Sequence, residues 1–216
     1  MCREASTTGI EPIVQARRRR LCWIPDRQLS KDKQRIADIR DPCHQSAMSP
    51  LDSFASPIIG HPAWGAKQGC GSFLTIEFGQ PALRVQEYNS EERGFRRQAY
   101  VEGQWHFWIY CCEWRFSASC QPIAWSEDAR DDIARATSNL DGQKLTKILV
   151  APADGRSRFE FDLGGLLETW PVNDDLTTDQ WYIYGPEAVF AYRADGHYSL
   201  QPSDTPPHKT RWQPLV

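Results

Sequence analysis

The residue best suited by type to act as a nucleophile is a cysteine between two glycines. Cys70 lies in the sequence GCGS (residues 69–72), which predicts an exposed turn in front of a strand. A cysteine attacks as its thiolate, which a nearby histidine such as His61 or His106 would stabilise. Glycine-rich turns also precede many strands without any catalytic role. An enzyme with its site near Cys70 is therefore our third functional hypothesis.

The sequence contains none of the common catalytic or metal-binding motifs. It has no phosphate-binding GxxxxGK[ST], no GxSxG, no HExxH and no CxxC. The histidines and cysteines after residue 47 show none of the spacings that zinc ligands adopt. Glu113 and Arg115 share one face of a predicted strand, which favours a solvent-side ion pair over acid–base chemistry. We therefore predict no catalytic residue, no metal ion and no cofactor.

Tryptophan is the most unusual part of the composition, with nine residues in 216. Trp105, Trp108 and Trp114 fall in the most apolar predicted strand, which favours a place in the core. Three others lie near turns and prolines, where an exposed aromatic site is expected: Trp64, Trp170 and Trp212. Exposed rings of this kind stack on sugars and other flat ligands. A small-ligand or carbohydrate-binding domain with an aromatic pocket is our alternative hypothesis.

Charge divides the chain near Met48. Residues 1–47 hold 10 basic and 6 acidic residues, whereas the remaining 169 hold 15 and 22, a net charge of −7. Such a charge speeds encounter with a basic partner, although it also serves solubility alone. The expected partner-binding residues combine an acidic cluster with two tryptophans: Asp174, Asp175, Asp179, Trp170 and Trp64.

The first 47 residues are poor in aromatic side chains and contain four consecutive arginines, Arg17, Arg18, Arg19 and Arg20. With so little apolar surface to offset the entropy of ordering, we expect a disordered tail. A spurious upstream extension that ends before Met48 is the other interpretation. We do not expect nucleic acid as a partner, except through the arginine run. Residues 48–216 are then predicted to form a single domain.

Location is predicted from two absences and from cysteine usage. The sequence has no run of about 18 apolar residues and no N-terminal apolar stretch of about 7–15 residues after its charges. Seven cysteines, with Cys111 and Cys112 adjacent in an apolar strand, favour a reducing compartment. We expect a cytoplasmic protein that does not contact membranes.

Hydrophobic periodicity predicts a β-rich domain with one helix. Strands are predicted over residues 73–78, 83–88 and 105–116, with a charged loop over 89–98. A helix is predicted over about 127–140, capped by Ser126 and ended by Asp141-Gly142. Two further hairpins are predicted around Asp154-Gly155 and Asp195-Gly196, because Asp-Gly between apolar runs is a strong turn signal.

A weak internal repeat organises these elements. The sequences FLTIEFG (73–79) and FEFDLG (159–164) both alternate apolar residues and end in an acid followed by glycine. Each is followed by a Gln-Trp strand, at Gln104-Trp105 and at Gln180-Trp181. We therefore predict a β-rich α+β fold, an antiparallel sandwich or open barrel made of two β-meander halves joined by the helix.

Several stretches resemble a group of uncharacterised bacterial proteins of about this size. They are HPAWG (61–65), GSFLTIEFG (71–79), GQWHFWIY (103–110) with Trp114, and FEFDLGG (159–165). The resemblance covers most of residues 58–200 and supplies no activity. Small acidic β-rich proteins of this character also resemble the immunity proteins of bacterial toxin systems, by analogy only. That analogy and the acidic charge make our first hypothesis a non-enzymatic protein-binding domain, of the kind that inhibits a basic partner.

Overall fold

The computed structural model describes residues 48–90, 94–172 and 175–216. They form two antiparallel β-sheets with two α-helices, α1 (Pro50–Ala55) and α2 (Arg130–Leu140), and α1 continues into a short 3-10 turn (Ser56–Ile58). The predicted β-rich α+β class is confirmed. Residues 1–47, with the four arginines and the predicted tail, lie outside the described residues.

Twelve strands are present in the described residues. In chain order they are β1 (Ala63–Gln68), β2 (Leu74–Ser90), β3 (Gly94–Ile109), β4 (Cys112–Ala118), β5 (Gln121–Trp125), β6 (Leu145–Ala151), β7 (Arg156–Phe161), β8 (Gly165–Pro171), β9 (Asp179–Tyr184), β10 (Ala188–Arg193), β11 (His197–Pro202) and β12 (Gln213–Pro214). One sheet has the order β1-β2-β3-β9-β10-β11-β12, and the other has the order β5-β4-β8-β7-β6. The predicted hairpins β6–β7 and β10–β11 are both confirmed.

The core between the sheets is built from aromatic rings on alternate strand positions. Trp181 is fully buried and stacks on Tyr192, with ring centroids 5.0 Å apart. Its indole N–H donates to Oγ of Ser157 in the opposite sheet at 2.9 Å, so the ring satisfies its polar atom while it packs. Phe107 and Phe159 meet across the core with centroids 4.7 Å apart. The sheets are therefore joined by interdigitating aromatic side chains.

The apolar stretch 105–116 forms two strands and not the single strand predicted. β3 ends at Ile109, and β4 begins at Cys112 in the other sheet. Trp105 and Phe107 point inward before the break, whereas Trp114 points inward after it. A change of phase at Tyr110-Cys111 reverses which positions face the core. Trp108 therefore lies on the outer face of the seven-stranded sheet, and its predicted place in the core is wrong.

The predicted helix is present but starts later than Ser126. The helix begins at Arg130 after Ala129, which makes no side-chain cap. Ser126 is buried, its backbone N–H donates to the Trp114 carbonyl at 3.0 Å, and its hydroxyl donates to Glu113. Ser126 thus extends the pairing of β5 with β4. The predicted pair of Glu113 with Arg115 is also wrong, because Arg115 binds Glu168 in β8.

The described residues form two halves that begin with the same order of elements. In the first half, α1 precedes β1, β2 and β3 in one sheet, and β4 and β5 follow in the other. In the second half, α2 precedes β6, β7 and β8 in the second sheet, and β9 and β10 return to the first. The pairing of β3 with β9 corresponds to the pairing of β8 with β4. Two meander halves joined by the helix are therefore present, with their sheets exchanged.

Backbone hydrogen bonds connect the two halves where their first strands begin. The N–H of Gly60 donates to the carbonyl of Leu145 and that of Gly142 donates to the carbonyl of Ala63, each at 2.7 Å. Both glycines adopt positive φ, +84° and +88°, which favours glycine at the two positions. The contacts are the same in both directions, as an approximate two-fold relation between the halves requires.

The sequence repeat follows this relation only in part. FLTIEFG lies on β2 and FEFDLG on β7, the second strand of each half. The predicted equivalence of the two Gln-Trp strands is wrong. Trp105 lies on β3, the third strand of its half, whereas Trp181 lies on β9, the fourth strand of the other half. Because β3 and β9 are direct neighbours, Trp105 and Trp181 belong to one sheet.

Candidate functional site

A two-stranded ribbon projects from the seven-stranded sheet. Residues 81–90 of β2 pair with residues 94–103 of β3, from Pro81 opposite Gly103 to Ser90 opposite Gly94. The pairing of β1 with β2 ends at Phe78, and β9 pairs with β3 only from His106 onward. In the described part of the chain the ribbon therefore has no third strand on either edge. The predicted loop over 89–98 is wrong, because this segment continues both strands as far as the structure describes it.

The ribbon is amphipathic, and its apolar face is exposed. Cross-strand pairs place five apolar side chains on one face: Leu83, Val85, Phe95, Ala99 and Val101. Leu83 is 71% exposed, Phe95 62%, Val85 54% and Val101 52%. We call these five residues the apolar face of the ribbon. Exposed apolar side chains that are contiguous mark interaction sites more often than scattered ones do.

One ion pair lies on the same side of the ribbon as the apolar face. Nη2 of Arg97 lies 2.6 Å from Oε1 of Glu87 in the facing strand. The Arg97 guanidinium also lies 5.7 Å from the centroid of the Phe95 ring, within the range of a cation–π contact. The other face of the ribbon is polar and carries Arg84, Gln86, Tyr88, Arg96, Gln98, Tyr100 and Glu102.

The apolar face continues the core-facing side of the sheet. Counting back by two along β3 from Ile109 passes through buried Phe107, Trp105 and Gly103 and arrives at Val101. On β2, a bulge after Phe78 brings Pro81 opposite Gly103 and so keeps Leu83 on the same side as Val101. Phe54 of α1 packs edge-on against Trp105 at 5.2 Å. From Val101 outward to Phe95, the large side chains that continue this row are exposed.

An apolar groove lies at the root of the ribbon on the same side. Its volume is ≈ 370 Å³, near the lower end of the range of ligand pockets. Its lining is mostly apolar: Phe54, Trp105, Pro186, Glu187, Ala188 and Leu200. Leu200 is 44% exposed at its edge. The groove and the nearer end of the apolar face, at Val101, therefore lie on the same side of the sheet.

A carboxylate fixes the root of the ribbon from the other side of the sheet. Glu77 is 4% exposed, and its Oε2 accepts a hydrogen bond from the backbone N–H of Gly103 at 3.0 Å. Its Oε1 lies 2.8 Å from Nδ1 of His106. A Cβ on Gly103 would lie 2.7 Å from the Phe78 carbonyl oxygen, so the strands approach here as only glycine allows. These contacts set the direction in which the ribbon leaves the sheet.

The outer face of the seven-stranded sheet carries a second aromatic group. Trp108, Tyr182 and Tyr184 are half-buried there, with Trp108 directly opposite Tyr182. The ring planes of Trp108 and Tyr182 differ by 30°, and those of Tyr182 and Tyr184 by 31°. We call these three rings the aromatic platform. Sequence reasoning missed it, because the predicted strand had the wrong phase around Tyr110.

The predicted partner-binding residues do not form one surface. Trp64 lies on β1 of the seven-stranded sheet, and its indole N–H donates to the Gly79 carbonyl at 3.0 Å. Trp170 lies on β8 of the five-stranded sheet and packs edge-on against Trp125. Asp175 is exposed, and hydrogen bonds from the Thr177 hydroxyl and N–H lower its pKa. Asp174 lies outside the described residues.

Asp179 contacts the aromatic platform. It is half-buried at the start of β9 and accepts a hydrogen bond from the Tyr182 hydroxyl. Burial raises the pKa of the Asp179 carboxyl above its ordinary value, and the hydrogen bond from Tyr182 opposes that shift. Burial and the neighbouring carboxylate also raise the pKa of Tyr182. Asp179 therefore helps to hold the aromatic platform in place.

Cys70 lies on the turn between β1 and β2. Its side chain is exposed, and the turn is closed by a hydrogen bond from the Gly69 N–H to the Phe73 carbonyl at 2.7 Å. His106 lies beside Glu77, and His61 is exposed ahead of β1. The described residues contain no group of three or more His, Cys, Asp or Glu that could hold a metal ion.

Trp212, which was predicted to belong to an exposed aromatic site, stacks with the Arg193 guanidinium at 4.5 Å.

Comparisons with family models, curated proteins and solved structures found no match to this chain. The resemblance to bacterial proteins therefore stays a prediction. Both helices in the described residues fall short of the length and apolar character needed to cross a membrane.

Proposed function

We propose that this chain is a protein-binding domain and that the apolar face of the ribbon is its binding surface. The observation that supports this is the uncovered continuation of the core-facing side of the sheet into the ribbon. Burying one such side chain is worth about 1.5–3 kcal/mol, so Leu83, Val85, Phe95 and Val101 supply a substantial driving force for association. A two-stranded ribbon is marginally stable alone, which favours a partner that covers it.

The ribbon explains binding better than the acidic residues do. A basic partner, as an inhibitor of the immunity type would have, remains a proposal that uses Asp174, Asp175 and Asp179. In the described structure, however, Asp175 shapes its own turn and Asp179 supports Tyr182. The large apolar side chains of the ribbon, in contrast, lie outside the core and are each more than half exposed, so binding accounts for their apolar character.

Affinity capture with two matched variants tests the proposal. Val85→Asp places a charge on the apolar face, whereas Gln86→Asp places the same charge on the neighbouring residue of the polar face. We expect bound protein, identified by mass spectrometry, to be recovered with the wild-type chain and with Gln86→Asp but lost with Val85→Asp. If all three chains recover the same proteins in the same amounts, the ribbon is not the binding surface.

The aromatic platform favours a second candidate function, the binding of a sugar. The ring of Tyr182 is tilted by 30° from that of Trp108 and by 31° from that of Tyr184, and the apolar faces of sugar rings stack on neighbouring aromatic rings of this kind. We expect titration with soluble oligosaccharides to quench tryptophan fluorescence and Trp108→Ala to abolish the effect. Trp125→Ala, on the outer face of the other sheet, is the control and should leave it unchanged. Equal titration curves for the two variants would exclude the platform.

A further inference from the structure

We propose that the apolar face of the ribbon is covered by the ribbon of a second copy of this chain, so that two copies clasp each other about a two-fold axis. This inference rests on the proposed function, because it names the occupant of the same surface. The two ribbons lie face to face and run in opposite directions.

The architecture of the sandwich defines what the missing cover must be. At Phe107 and Trp181 the core-facing side of the seven-stranded sheet is covered by the five-stranded sheet, and β-layers pack about 10 Å apart. The ribbon continues the first layer without the second. A second ribbon has the same length, one apolar face to turn inward and one polar face to leave in water. The ribbon of the second copy therefore supplies the missing layer over the ribbon of the first copy. There it extends the layer that the first copy's five-stranded sheet forms.

The tip of one ribbon then reaches the root of the other. Ten residues of extended strand span about 33 Å, the distance from Trp105 back to Phe95. At the root lies the apolar groove of ≈ 370 Å³ beside Phe54 and Trp105. Phe95, which is 62% exposed at the tip, is the side chain that this groove would receive. Arg97 shares the face of Phe95, and Glu187 at the groove carries the opposite charge, which favours the same arrangement.

Charge balance also favours a second copy over a basic partner. Residues 81–102 contain four basic and four acidic side chains, so two ribbons do not repel each other. The net charge of −7 on residues 48–216 therefore lies entirely outside the ribbon. A strongly basic partner would be attracted to other parts of the surface.

The size of the contact predicts a reversible dimer. Two strands of ten residues offer less than the area of about 800 Å² per partner that a standard stable interface buries. The contact with the groove at the root adds to this area but leaves it smaller than a standard stable interface. We expect dimers to form at high protein concentration and to dissociate on dilution.

Sedimentation velocity on the full chain across a wide range of concentrations measures this equilibrium. We expect Val85→Asp to raise the dimer dissociation constant at least about tenfold and Gln86→Asp to change it less than about twofold. Phe95→Ala should weaken the dimer about tenfold, whereas Tyr88→Ala on the polar face should not. Leu200→Asp, in the groove that receives Phe95, should weaken it as Phe95→Ala does. Circular dichroism of each variant confirms that it is folded.

The outcomes separate this inference from the proposed function. A dimer weakened by the apolar-face and groove variants, but not by their controls, supports the two-fold clasp. A monomer at every concentration overturns the clasp, as does a dimer that Val85→Asp leaves intact. If the chain is monomeric but still captures another protein only through the apolar face, the clasp is wrong and the proposed function stands.

Discussion

At the scale of single residues, the polar side chains that attract attention in the sequence have structural partners. Glu77 binds the Gly103 N–H, Asp179 binds the Tyr182 hydroxyl and Arg115 binds Glu168. Each contact joins neighbouring strands or fixes a ring. Four large apolar side chains on the ribbon, in contrast, are more than half exposed. Exposure of apolar side chains is therefore a better guide to binding here than the positions of charges.

Asp179 gives a prediction about pH. Because burial raises its pKa, the folded protein prefers the protonated carboxyl more than the unfolded chain does. Folding therefore gains stability from this residue as the pH falls, and the gain is complete below the ordinary pKa of 3.8. The gain is lost as the pH rises through the raised pKa. Asp179→Asn removes the titration and keeps an oxygen that accepts from Tyr182.

We expect Asp179→Asn to be more stable relative to the wild type at pH 7 than at pH 3. Urea unfolding of both proteins at a series of pH values measures the difference. Asp204→Asn, at an exposed acid in the turn after β11, should show no such trend. A relative stability of Asp179→Asn that does not change with pH, or that rises in acid, would show that burial does not control this carboxyl.

At the scale of elements, the ribbon is separable from the core. None of its described side chains is buried between residues 82 and 102. Replacing this segment with Asn-Gly between Pro81 and Gly103 forms a two-residue hairpin loop at an existing cross-strand pair. We expect the free energy of unfolding to change by less than about 1 kcal/mol, because no core contact is removed.

Urea unfolding followed by tryptophan fluorescence tests this expectation. Phe78→Ala, at the last core position before the ribbon, is the contrasting variant and should cost about 3–5 kcal/mol. A shortened chain that fails to fold would mean that the ribbon helps to form the sandwich. The proposed separation of a binding element from its scaffold would then be wrong.

Local signals predicted the elements that local chemistry determines. Asp-Gly pairs located the hairpins β6–β7 and β10–β11, and the apolar stripe of Ile133, Ala136 and Leu140 located α2. The first strand of the ribbon was predicted in part, over residues 83–88, but the segment 89–98 was predicted as a loop because charges such as Arg96 and Arg97 outnumber its apolar residues. Which part of a strand has a second layer opposite it depends on chain segments far away in sequence. The exposed apolar face could therefore be recognised only in three dimensions.

At the scale of the whole molecule, the two halves are similar in order yet inseparable in packing. Each sheet takes strands from both halves, through the pairs β3–β9 and β4–β8. Phe107 of the first half and Trp181 of the second meet edge-on, with centroids 6.1 Å apart. Neither half has a covered core of its own, although a helix and five strands follow one another in the same order at the start of each. A single cooperative unfolding transition is the expected consequence.

Cutting the chain between Asp128 and Ala129, in the exposed turn before α2, tests this interdependence. We expect fragments 1–128 and 129–216 to be unfolded alone, because each exposes the aromatic side chains that the other covers. Mixed in equal amounts, they should recover the near-ultraviolet circular dichroism of the intact chain. Trp181→Ala in the second fragment should prevent recovery, because the ring contacts Phe107 and Phe159 from different parts of the chain. A fragment that folds by itself would show that one half is an independent unit and that the exchange of strands between sheets is not required for stability.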